Sequence, residues 1–132
     1  MFVEQALLYE LTQDSDLTEH VSERIYIVNA PQTVKTPYIV FFKVDSNPEQ
    51  SHQGNSHLER ARFQFDIFDD SIYECKLIAE HLQTILQGLN EPIGVSPYVR
   101  VGGILFLGEG QLYENEDKLY HLIEDYEIPY ET

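Results

Sequence analysis

Residues 45–57, DSNPEQSHQGNSH, contain no aliphatic side chain, yet they stand between two of the most strand-like runs in the chain. Before them, Tyr38-Ile39-Val40-Phe41-Phe42-Lys43-Val44 has the β-branched and aromatic composition of a strand, and its apolar density suits a central one. After them, Glu59, Ala61, Phe63, Phe65 and Ile67 alternate with Arg60, Arg62, Gln64 and Asp66, the period of a strand with one wet face. The polar stretch cannot feed a core. The expected unit is therefore a hairpin whose tip, about 45–57, is a long and mobile loop. Directly behind it, Ser71-Ile72-Tyr73-Glu74 has the Ser-x-x-Glu form of a capping box. Cys75, Ile78, Ala79, Leu82, Ile85, Leu86 and Leu89 follow at i, i+3, i+4 spacing, which predicts an amphipathic helix ending near Gly88.

The remaining elements are shorter. Val3, Leu7, Leu8 and Leu11 recur at helical spacing, and Leu17 and Val21 do so behind the cap-forming residues Asp14, Ser15 and Asp16. Ile25 to Val28 reads as a strand stopped by Pro31, and Tyr98 to Leu107 and Leu119 to Ile128 as two more. The expected fold is a single α+β domain over 1–132. It has an antiparallel sheet of about four to five strands packed against one long helix, with two short N-terminal helices.

Composition decides which functions such a domain can serve. With 42% hydrophobic and 12% aromatic residues the chain can offset its folding entropy, despite a formal charge of −15. That charge repels nucleic acid and anionic membranes, because counterion release needs clustered bases and only 8 Lys and Arg are present. Sequence-specific nucleic-acid binding is not expected. No apolar run approaches the ~20 residues of a membrane span, and Glu4 interrupts the N-terminal apolar stretch, so neither a span nor a secretory signal is expected. Acids crowd the two ends, whereas residues 31–66 carry as many bases as acids. Cys75 is the single cysteine, which makes an intrachain disulfide impossible and a buried, unreactive role the simplest one.

Chemistry-bearing motifs are weak. Gly102, Gly103, Gly108 and Gly110 lack the G-x-G-x-x-G spacing and read better as a bend or bulge. His52 and His57 share the polar loop without a cysteine to complete a zinc set, so no metal site is expected. Glu114, Glu116 and Asp117 lack the pattern of a calcium loop and read as a solvated acidic turn. No nucleophile motif accompanies Ser71, Ser96 or the histidines. The aromatic row Tyr38, Phe41, Phe42, Phe63, Phe65 and Phe68 reads as core or interface rather than as a base-stacking platform. No enzyme activity and no cofactor are expected.

The order of segments resembles a known family. Leu17-x-x-x-Val21-x-x-Arg24-Ile25-Tyr26, then Ala30-Pro31-Gln32, Pro37-Tyr38-Ile39-Val40, Arg60-Ala61-Arg62-Phe63-Gln64-Phe65-Asp66-Ile67-Phe68 with its capped helix, and the closing Leu119-Tyr120-His121 strand are similar to the tail completion proteins of long-tailed phages. Related domains occur in prophages, gene transfer agents and contractile or tailocin-like particles. The resemblance implies a tail terminator: a small subunit without catalytic residues that forms a homo-hexameric ring at the head-proximal end of the tail. The isolated subunit can be a monomer. Its partners would be the tail tube protein and the head connector, and its place the virion tail, assembled in the host cytoplasm. Asp45, Asn47, Pro48, Gln50, His52, Gly54 and His57 are then the candidate assembly loop, expected to order against a neighbouring ring. Glu114, Glu116 and Asp117 are candidates to line an acidic bore that does not hold DNA. The alternative reading of the charge is a regulatory module, an acidic mimic of DNA.

Overall fold

The protein is described by a computed structural model covering residues 1–51 and 54–131. Among these residues the helices are α1 (Val3–Gln13), α2 (Ser15–Val21) and α3 (Ile72–Gly88). The strands are β1 (Ile25–Ile27), β2 (Tyr38–Ser51), β3 (Gly54–Asp69), β4 (Pro92–Ile93), β5 (Val99–Arg100), β6 (Leu105–Glu114) and β7 (Leu119–Glu131). The fold is α+β, as expected.

At each helix start a side chain accepts a hydrogen bond from a backbone N–H. Gln5 Oε1 accepts from Phe2 N at 2.8 Å, and Asp14 Oδ1 accepts from Leu17 N at 3.0 Å. Ser71 Oγ accepts from Glu74 N at 3.4 Å, so the first half of the expected capping box is present. The reciprocal half is not, because the Glu74 carboxylate turns to His20 of α2 and ties the two helices together. Leu7, Leu11, Leu17, Val21, Ile78, Leu82 and Leu86 bury one side of the helical layer. They cover Ile39, Phe41, Phe63, Phe65, Ile67, Leu122, Tyr126 and Ile128 on one face of the sheet. The aromatic rings interlock there, Phe41 stacking on Phe65 at 5.1 Å and Phe65 meeting Tyr126 edge-on at 5.6 Å. Cys75 is fully buried in this core.

The main sheet has the order β1-β2-β3-β7-β6. Three features depart from the expectation. First, β1 is parallel to β2, which makes the sheet mixed. Residues 28–37 carry the chain back, Arg24 Nε holds this connection at Pro37 O (2.9 Å), and Ile39 N and Val28 N bond Arg24 O and Phe41 O across the pair. Second, the run expected as one strand over 98–107 is divided. β5 pairs with β4 in a small separate sheet, Gly102 N bonds Pro129 O at 2.8 Å, and β6 then runs on to Glu114. The glycines do mark irregularity, since the ladder with β7 slips between Phe106 and Gly108.

Third, the segment expected as a loop is strand on both sides of its tip. The ladder continues through Asp45↔Arg62, Asn47↔Arg60, Pro48↔Glu59, Gln50↔Asn55 and Ser51↔Gly54, with register shifts beyond Lys43 and beyond Pro48. Ladder bonds are made by the backbone, so a ribbon wet on both faces needs no aliphatic side chains to form. β7 accompanies β3 only as far as Leu58↔Glu131, and past that level the hairpin is a two-stranded arm.

Candidate functional site

The two candidate surfaces lie at opposite ends of the strands. Asp45, Asn47, Pro48 and Gln50 sit on β2 and Gly54 and His57 on β3, all toward the arm. His52 lies outside the described residues, as do the side chains of Gln50 and His57. Asp45, Asn47 and Pro48 are exposed. The base of the arm is fixed by a polar chain in which Lys43 Nζ donates to Tyr130 Oη at 2.7 Å and Tyr130 Oη donates to Glu59 Oε2 at 2.8 Å. Lys43 and Tyr130 also line a cleft of about 490 Å³ with Phe2 and Tyr98, two aromatic side chains left in solvent.

Glu114 ends β6, and Glu116 and Asp117 follow in the exposed turn to β7. The turn lies level with the start of β2, as Tyr38↔Phe68 and Phe68↔His121↔Leu112 show. At about 3.3 Å per residue, the full length of β3 sets this turn and the hairpin tip about 50 Å apart. Of the three, Glu114 reaches His121, its Oε1 lying 3.1 Å from Nδ1 of that ring.

His121 is the centre of a network that sequence reasoning missed. The ring is nearly buried, stacks on Phe68 at 4.2 Å, and places Nε2 3.3 Å from Asp66 Oδ1, close enough for an ion pair but not aligned as a hydrogen bond. Gln64 Nε2 donates to the same oxygen at 2.8 Å, and Tyr38 stacks on Phe68 at 4.8 Å. Burial alone would lower the His121 pKa, but Asp66 and Glu114 outweigh it and hold the ring above the usual histidine range. The far end of the expected wet face of β3 is thus covered. His121 was visible in the sequence only as part of a strand, because its partners are 55 and 7 residues away.

A second acid sits inside the core. Glu124 occupies the core-facing row of β7 between Leu122 and Tyr126 and is 1% exposed. Tyr126 Oη donates to it at 3.0 Å, and burial pushes its pKa up to about 7. Burial likewise pushes the Cys75 thiol up to about 12, which makes it a poor nucleophile at neutral pH. Among the described residues no three His, Cys, Asp or Glu side chains converge as metal ligands.

A second set of exposed apolar groups lies at and beside the margins of the sheet. Leu105, Leu107, Leu112 and Tyr113 of β6 are about half exposed, and Tyr73 and Leu77 stand out on α3. Val28 and Val44 are exposed on the opposite margin, beside β1 and β2. The sequence reading reached only Leu107 of β6, because Gly-Glu-Gly interrupts its strand-forming residues there.

Residues 5–131 match the family model of the tail completion protein gp17. No curated protein matches the chain. Among solved structures, a chain in the virion of a native gene transfer agent particle superposes with a TM-score of 0.81 at 16% sequence identity, over 98% of this chain and 95% of that one.

Proposed function

The chain belongs to the tail completion protein gp17 family and is a structural protein of the virion tail, and from that premise we propose that it ends tail tube growth and joins the tail to the head connector. In this reading six copies form a ring at the head-proximal end of the tube. The observation that carries it is the family match across nearly the whole chain, 5–131.

The geometry supports the role because a joining ring must meet two partners at once. The arm at one end of the strands and the acidic turn at the other give each subunit two separate faces along one axis. The arm carries its own backbone ladder beyond the level of β7, so it extends from the subunit and is available to dock against a neighbouring ring. Glu116 and Asp117, exposed in the β6–β7 turn, would line the mouth of the bore and keep DNA from adhering during passage. Such a subunit works without catalysis or cofactor. Particles produced without this chain test the proposal by electron microscopy. Tails of unregulated length and unjoined heads are expected; tails of normal length joined to heads would overturn it.

A further inference from the structure

β6 is an open edge of the sheet, interrupted by one bulge at its start. It is ten residues long, its outer backbone groups have no ladder partner among the described residues, and it carries four exposed apolar side chains. No lysine or proline stands on it; Glu109, exposed, lies 3.8 Å from Lys76 of α3, and Glu114 contacts His121. Monomeric sheets protect such an edge or pay for it in aggregation. The other margin is unpaired as well, with one donor missing at Pro48. β1 pairs with β2 only at residues 39–41, so β2 from Phe42 to Ser51 has no described partner on its outer side. That free stretch matches β6 in length.

The directions of the strands fit a repeat. β2, β3, β7 and β6 alternate antiparallel, so β6 runs opposite to β2. A copy turned about a ring axis, without being inverted, brings its β2 beside this β6 in antiparallel sense and continues the alternation. An odd number of alternating strands from β2 to β6 would have made that junction parallel. A head-to-tail ring requires such a pair of different, complementary surfaces on one subunit.

We propose that neighbouring copies of this chain join edge to edge, β6 of one pairing with residues 42–51 of the next, so that the sheets close into one barrel. This rests on the ring reading above and names the surfaces that close it. β1 sets the register. At equal height Leu105 lies level with Asp45 and Leu112 with Tyr38, where β1 blocks the approach. The junction must slide toward the hairpin tip, which is the stagger that closing a sheet demands. With β6 laid fully along 42–51, Leu112 meets Val44, and both side chains are exposed.

Cysteines at these two exposed positions test the junction in tails purified from cells that assemble them. Cys75 is buried and does not interfere. A short bismaleimide, which tolerates a slip of one residue, should link the Val44→Cys/Leu112→Cys double variant into a ladder ending at the closed ring. Mixed single variants should give dimers, and Leu112→Cys alone should stay monomeric. Rings seen by microscopy but not linked would overturn the edge junction and leave the ring reading intact. Linkage of Leu112→Cys to itself would overturn it in favour of a two-fold contact. Tails without a ring would overturn the ring reading and this inference together.

Discussion

Glu124 and His121 give the molecule a pH dependence of one sign. Glu124 titrates near 4.5 when unfolded and at about 7 in the fold, so its protonated form is the one the core accepts. Its contribution is fully present below the unfolded pKa and is lost as pH rises through about 7. His121 is raised as well, and the contribution from its pairing with Asp66 and Glu114 is present below its unfolded value of 6.5 and lost as pH rises through the folded one. Stability should therefore fall from mildly acidic to mildly alkaline pH. Glu124→Gln keeps an acceptor for Tyr126 and removes the charge. At pH 8 it should stabilise by roughly 3 kcal/mol, since one pKa unit is about 1.4 kcal/mol, and have a much smaller effect at pH 5. Urea denaturation at the two pH values checks this; an equal effect at both would contradict the assignment. Gly94 is a second decisive residue. Its φ is +87°, and a Cβ there would lie 2.9 Å from the Cβ of Ala6 and 2.4 Å from Met1 Sδ. Gly94→Ala should cost roughly 1–3 kcal/mol, read from the shift in urea midpoint, with an unchanged midpoint as the contrary result.

The elements differ in what a change to them should break. Asp14 caps α2, so Asp14→Ala should cost about 1 kcal/mol of stability without touching assembly. Shortening the arm by residues 50–55 should do the reverse, leaving the thermal midpoint of the subunit within a few degrees while head-to-tail joining fails. Normal particle yield from the shortened chain would count against the arm as a docking element. These elements were legible in the sequence to different degrees. α3 announced itself through Ser71 and a regular apolar stripe, and β3 through Phe63, Phe65 and Ile67, because local period reports burial directly. The arm was not legible as strand, since its ladder is backbone-made and its side chains are polar on both faces. β6 beyond Leu107 was hidden by glycines, and the parallel pairing of β1 by the fact that Arg24, Pro37 and Phe41 set it from across a connection. Of the candidate site, the acidic turn could be located from composition. Its link to His121 and Asp66 could not, because that contact exists only once three strands are in register.

At the scale of the whole molecule, association must overcome charge. Each subunit carries −15, so copies brought together in a ring repel one another, and the attraction has to come from apolar edges and backbone pairing. Raising the salt concentration should therefore strengthen self-association of the purified chain, measured by sedimentation or native mass spectrometry. Salt that dissolves the assembly would mean that ion pairs hold it instead. The central claim is that this chain is the subunit standing between tail tube and head connector. Cryo-electron microscopy of intact particles examines it most directly. The account predicts a ring at that level whose repeating density fits this sheet and its three covering helices, with the arms pointing to one neighbour and the β6–β7 turns to the other. A ring there built from a different chain, with this one at the far tip of the tail or missing from the particle, would contradict it.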